Sequence, residues 1–199
     1  MIACHTVCSV AFESLREAFD IPIIGIVDLA IDEIVSASSD HKMAILGTKA
    51  TIGSGIYEKK IKERVPHADV TSVSCPLFVP LVEEGYIEHP LTEMAIDEYI
   101  KPLGPKSIDA VLLACTHYPL LYDSIQKKLG PKILLIDPAK RCALQVKEIL
   151  EERMLLNRDI QHSPSYRFYV SDDPEKFSFH GKKFFRHPIE HVLQSSFGL

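Results

Sequence analysis

The 199-residue sequence has no Cys-x-x-Cys spacing, no long apolar run and no block of basic residues, and each absence removes a class of protein. Its five cysteines are an odd number without metal-ligand spacing, which argues against a disulfide framework and a structural zinc site. Such cysteines fit a reducing cytoplasm, where each is either buried filler or a reactive thiol. No uninterrupted run of Lys or Arg exceeds two or three residues and the net charge is −5, so nucleic acid and anionic membrane are not expected partners. No apolar run approaches the roughly 20 residues of a membrane helix. The first twelve residues are fairly apolar but lack the basic lead-in of a signal peptide. What is present is ordinary globular composition, 46% hydrophobic and 25% charged.

Short apolar runs alternate with helical patterns along the chain. Strands are expected at Ile23–Val27, Met43–Leu46, Asp69–Ser74, Ala110–Ala114, Ile133–Ile136 and Tyr166–Val170. Helices are expected at Val7–Phe19, Ile31–Ser36, Ile52–Val65, Pro80–Gly85, Thr92–Ile100, Tyr122–Leu129, Lys140–Met154 and Pro188–Gln194. Strands separated by helices predict an α/β fold with parallel sheets covered on both faces. The polar stretch Leu155–Ser165 reads as a linker, and Met1-Ile2-Ala3 reads as the tail of a buried strand, so further sequence is expected upstream.

An internal repeat organises the chain. Ala3-Cys4-His5-Thr6 ends an apolar run and opens a helix, and Ala114-Cys115-Thr116-His117 does the same. Each is followed by a helix and then by a similar segment, Pro22-Ile23-Ile24-Gly25-Ile26-Val27-Asp28 in the first case and Pro131-Lys132-Ile133-Leu134-Leu135-Ile136-Asp137 in the second. The expected architecture is therefore two pseudo-symmetric, doubly wound parallel-sheet domains with the active site between them. Residues 1–27 with 137–199 would form an incomplete first domain, and residues 28–136 the second. Ligands in such folds bind beyond the carboxyl ends of the strands, where both cysteines fall.

Two facing thiols suit one chemistry in particular. Inverting an amino-acid Cα requires a proton to leave one face and another to arrive at the opposite face. A thiolate and a thiol on either side do this, exchanging roles with direction. Both cysteines precede helices, whose N-termini favour the anion and also hold carboxylates. A lone cysteine is commonly a small buried hydrophobe; the polar neighbours His5-Thr6 and Thr116-His117 favour the catalytic reading here.

These residues resemble a known family, the cofactor-independent aspartate/glutamate racemases. Ala3-Cys4-His5-Thr6 is similar to the family's Ala-Cys-Asn-Thr, and Cys115-Thr116-His117-Tyr118-Pro119-Leu120 matches its Cys-Thr-His-Tyr-Pro-Leu. Gly47-Thr48-Lys49-Ala50-Thr51 resembles its Gly-Thr-x-x-Thr loop, and the segment Cys75–Gly85 its Cys-Pro-x-x-Val-Pro-x-x-Glu stretch. The resemblance implies interconversion of L- and D-glutamate to supply peptidoglycan synthesis, with neither pyridoxal phosphate nor metal. It also implies a soluble cytoplasmic chain acting on a small molecule, with a homodimer as one assembly. Carried over residue by residue, it implies Cys4 and Cys115 as acid/bases, with Glu83 and His117 assisting the second. His5, Thr6, Thr48, Thr51 and Thr116 would contact substrate.

Departures are His5 in place of Asn, Asp28-Leu29-Ala30 in place of Glu-Pro-Gly, and the lack of the family's Asp-Ser-Gly and Pro-Tyr-Gly motifs. Those motifs lie about two βα units, roughly 70 residues, upstream of the first Cys. The alternatives left open are an inactive remnant or binding module, and a racemase of aspartate or another amino acid. Cys8, Cys75 and Cys142 read as structural, Gly53-Ser54-Gly55 as no phosphate loop, and His180, His187 and His191 as surface residues.

Overall fold

The computed structural model describes residues 1–104, 107–159, 161, 165–185, 188–189 and 191–195. The contacts divide the chain into two units, Met1–Leu156 and Asn157–Leu199. The polar stretch Leu155–Ser165 spans that boundary, although residues 160 and 162–164 are outside the described set, as is His187.

The first unit is built on four parallel strands, β1 (Lys42–Gly47), β2 (Asp69–Ser74), β3 (Ala110–Ala114) and β4 (Leu134–Ile136), in the spatial order β2-β1-β3-β4. Successive side chains of β1 point to opposite faces and both faces are covered. Met43 and Ile45 join one buried cluster with Ala110, Leu112 and Ala114, while Ala44 and Leu46 join another with Val111, Leu113 and Cys115. Complete burial of side chains such as Ile45, Leu46 and Leu112 stabilises the sheet by about 1.5–3 kcal/mol each. On the first face lie α1 (His5–Ala18), α2 (Ile26–Ala37) and α4 (Ile56–Arg64), with α8 (Ala139–Glu152) contributing Cys142. On the second lie α5 (Phe78–Glu83), α6 (Pro90–Ile100) and α7 (Tyr122–Leu129). The short helix α3 (Lys49–Gly53) follows β1 directly.

The strands expected at 43–46, 69–74, 110–114 and 133–136 are all present within a residue or so, as are most helices. Three expectations fail for identifiable reasons. The segment 23–27 makes one parallel bridge, Ile2 with Gly25, and no longer ladder. From Ile26 the chain turns into α2, because Ile26, Ala30 and Ile34, with Val27 and Ile31 beside them, form a helical stripe that is wholly buried. The helix expected over 52–65 is broken in two at Gly55, whose φ of +67° cannot continue a helix. Residues 188–194 contain a strand, β6 (Val192–Gln194), instead of a helix. Its parallel pairing with β5 (Phe168–Val170) overrides the local pattern.

That pair, with the connecting helix α9 (Pro174–Phe185), makes up the second unit, in which Phe168 packs near Phe177 and Phe185. The sequence reading missed α9, although its start is marked by Pro174 and by the Asp173 carboxylate accepting the Lys176 amide at 2.9 Å.

Gly25 holds the bridged end of the 22–25 segment close against α1. A Cβ there would stand 2.6 Å from Phe12 Cε2 and 3.2 Å from Cys8 Sγ. Gly25→Ala is expected to lower stability by about 1–3 kcal/mol, as overpacking does, read as a lower urea midpoint at unchanged slope. An unchanged midpoint would show that α1 is free to move away from Gly25.

Candidate active site

The order of the sheet creates the site. The chain leaves β1 for β2 on one side and then crosses to β3 on the other, so the winding reverses between β1 and β3. Gly47 at the end of β1 lies in register with Ala114 at the end of β3. The residues beyond these two carboxyl ends, Thr48 and Cys115, flank the crevice that forms at such a reversal.

Cys4 is exposed and sits at the N-cap of α1 with extended backbone angles (φ −78°, ψ 117°). Its carbonyl accepts the Cys8 amide at 3.0 Å, the first bond of the helix, while its thiol caps nothing. Two residues on, Thr6 joins a cluster of three hydroxyls. Its Oγ1 lies 2.9 Å from Thr48 Oγ1 and 3.0 Å from Thr51 Oγ1, and these two are 3.0 Å apart. Thr48 also caps α3, accepting the Thr51 amide at 3.2 Å. The loop after β1 and the first turn of α1 are thus pinned together at the carboxyl edge of the sheet.

His5, between Cys4 and Thr6, points the other way. It is 2% exposed, and its Nδ1 lies 2.5 Å from the hydroxyl of Tyr57, itself 2% exposed. Burial lowers the His5 pKa to about 4 and raises that of Tyr57 well above its usual value, so both are neutral near pH 7. The imidazole tautomer sets which of the two donates to the other. Sequence reasoning did not single out Tyr57. The signal was there, because Tyr57 and Ile61 are the buried i, i+4 pair of an otherwise charged helix, and a buried phenol needs a partner.

Cys115 follows β3 and is buried, with its Sγ 4.0 Å from His117 Nδ1. His117 Nδ1 also lies 3.4 Å from Thr116 Oγ1, and its Nε2 lies 3.3 Å from Glu83 Oε1 at the end of α5. The Cys115 pKa is raised, chiefly by burial; the His117 amide opposes this, a charge on Cys4 adds to it, and the Tyr118 amide also opposes it. A negative charge on Cys4 thus disfavours a second one on Cys115.

The remaining cysteines have structural settings. Cys75 follows β2, is fully buried, and its carbonyl accepts the Tyr118 hydroxyl at 2.9 Å, anchoring the turn after Cys115. The Cys8 thiol donates to the Ile2 carbonyl at 3.3 Å within the core, and Cys142 is buried among the helices of the first face. Asp28, from the departing Asp-Leu-Ala segment, is in the first turn of α2 and pairs with Lys60 Nζ at 2.6 Å. Among the described residues, no group of three or more His, Cys, Asp or Glu is arranged to hold a metal ion.

With this geometry in hand, comparison with known proteins is direct. Residues 1–146 match the model of the family described as Asp/Glu/hydantoin racemase. The chain is 37% identical over 184 residues to a glutamate racemase of Syntrophus aciditrophicus (strain SB), covering 92% of this chain and 68% of that protein. Its fold is similar to the crystal structure of a glutamate racemase isoform from Bacillus anthracis, with a TM-score of 0.91 at 27% identity, covering 98% of this chain and 72% of that one. It is also similar to the glutamate racemase of Francisella tularensis subsp. tularensis SCHU S4 in complex with D-glutamate, with a TM-score of 0.88 at 33% identity, covering 97% and 71%.

The buried neutral imidazole has a consequence for stability. The folded pKa of His5, about 4, lies below the usual 6.5, so its contribution is full above pH 6.5 and is lost as pH falls toward 4. Between pH 7 and pH 4.5 the loss is roughly 2–3 kcal/mol. Urea midpoints at the two pH values should fall further in the parent than in His5→Asn, which lacks this titration. Equal falls would mean that His5 is protonated while folded.

Proposed function

The chain belongs to the Asp/Glu/hydantoin racemase family, and we propose that it is a glutamate racemase working by proton transfer between two thiols. The single observation that carries this reading is geometric: Cys115 follows β3 at the reversal point of the sheet, and Cys4 opens the helix whose Thr6 is hydrogen-bonded to Thr48 and Thr51 beyond β1, on the other side of that reversal. The names of its relatives support glutamate as the substrate, and one of them is a complex with D-glutamate.

In this reading the thiolate on one side removes the Cα proton, leaving a planar carbanion delocalised into the carboxylate. The thiol on the other side donates its proton to the opposite face. The pair then holds the reversed protonation pattern, ready for the reverse reaction, and no proton is gained or lost overall. Thr6, Thr48 and Thr51 present three hydroxyls to the substrate carboxylate, joined by Thr116 on the second side. Glu83 orients His117, and His117 exchanges a proton with the Cys115 side of the site. The reaction as drawn needs only side chains. We further propose that residues 1–27 with 137–199 and residues 28–136 form the two domains of the complete fold. The product would be D-glutamate for peptidoglycan, made in the cytoplasm by a chain able to form a homodimer.

The matched relatives are longer, this chain spanning 68–72% of them. A second reading, an inactive remnant or binding module, is favoured by His5, which stands in place of the family's Asn and is buried against Tyr57 instead of facing the crevice. The two separate cleanly in D2O. A racemase incorporates deuterium at Cα of either glutamate enantiomer, and Cys4→Ser or Cys115→Ser should each slow inversion by at least about a hundredfold, the scale of losing a positioned acid/base. Binding seen by calorimetry without exchange supports the second reading, and exchange that survives both substitutions defeats the two-thiol mechanism.

A further inference from the structure

We infer that His5 and Tyr57 are a positioning pair that fixes Cys4 and Thr6 at the mouth of the site, His5 working from behind the helix end without touching substrate. The inference rests on the reading of Cys4 as one of the two acid/bases.

Successive residues of a helix diverge by about 100°, so His5 and Thr6 cannot face the same way. Thr6 reaches the hydroxyls of Thr48 and Thr51, while His5 reaches through the core to Tyr57 on α4, 52 residues along the chain. Among the described residues, the side-chain hydrogen bonds from α1 to the 48–57 segment come from these first two residues. Further along, Val7 and Val10 are exposed. Two anchors at a wide angle fix both the rotation and the height of the helix start, and Cys4 is the residue immediately before them.

The bond itself is built to hold. Both partners are 2% exposed, and the ring centroids stand 6.1 Å apart at a tilt of 30°. With water excluded, losing either partner leaves the other a buried polar group without its bond. A substrate contact would not be buried beneath the helix whose end carries the thiol. Position matters because proton transfer to carbon tolerates little error, a displacement of about 1 Å costing up to about a hundredfold in rate.

The test uses the full chain with three substitutions, Tyr57→Phe, His5→Leu and His5→Asn. The first two remove the bond. The third keeps the bond in either direction, because the Asn amide, which can accept through Oδ1 or donate through Nδ2, stands near the place of the imidazole Nδ1. Alkylation of Cys4 by iodoacetamide, followed by peptide mass spectrometry, reads the thiol's setting whether or not the protein racemises glutamate, and Cys115 in the same sample is the internal reference. Tyr57→Phe and His5→Leu should change the Cys4 rate relative to Cys115 by about threefold or more, with His5→Asn restoring it. Unchanged Cys4 rates in folded Tyr57→Phe and His5→Leu, checked by circular dichroism, would overturn the inference.

In the racemase assay, Tyr57→Phe should lower kcat by about tenfold or more with KM nearly unchanged. A raised KM at unchanged kcat in His5→Leu would make His5 a substrate contact and overturn it as well. A parent protein that does not racemise glutamate defeats the functional reading and leaves the alkylation result to decide this one.

Discussion

The parallel pairing of β1 with β3 is the constraint from which the site follows. Because Gly47 and Ala114 are held in register, Thr48 and Cys115 emerge side by side at one edge. The pairing is secured by buried side chains on both faces, Met43 and Ile45 below and Ala44 and Leu46 above, so a slip of one residue would turn each set toward the wrong helices. The first half of the site arrives from elsewhere in the sequence. The start of α1 is not part of the four-stranded sheet, and the Thr6–Thr48–Thr51 hydroxyls join it to the loop after β1. Cys4 is positioned only as well as that junction and the His5–Tyr57 bond allow.

The electrostatics of the crevice follow from burial with few charges. Cys115 is set in the apolar layer of the sheet, and burial alone would keep it a thiol. The amides of His117 and Tyr118 at the following turn pull toward the anion, and the charge of the opposite cysteine pushes back. Cys75 after β2 and the Tyr118 phenol in the turn after Cys115 are driven further toward their neutral forms by burial. The two buried thiols thus differ in the amides that face them and in their burial, not in residue type.

Much of this was legible in the sequence. The alternation of short apolar runs with helices gave the parallel sheet, since strands buried on both faces read as continuous apolar segments such as Ala110–Ala114. The second cysteine was equally plain, because strand, Cys, turn and helix are contiguous. The first half was harder. Residues 23–27 look like a strand by composition, yet Ile26, Ala30 and Ile34 also fit a helical stripe, and which pattern wins depends on the neighbours available to cover it. His5 was legible only as a polar residue beside a cysteine. Its burial depends on Tyr57, a contact across 52 residues that no local pattern encodes. The strand β6 escaped notice for a similar reason, since three residues carry little periodicity and their pairing with β5 decides their state.

The neutrality of His5 also bears on the reversibility of the chemistry. In the proposed mechanism, inversion between two enantiomers of equal energy has each thiol serve as base in one direction and acid in the other. A permanent cation beside the first thiol would favour its anion and hold the pair in one of its two states. Burial keeps the imidazole uncharged, and its hydrogen bond to a neutral phenol supplies rigidity without charge. On the second side the imidazole of His117 is half-buried and stands between the Glu83 carboxylate and the Cys115 thiol. The two histidines that follow the two cysteines therefore differ in setting. One is locked in the core behind the start of α1, and the other lies at the crevice beside the second thiol.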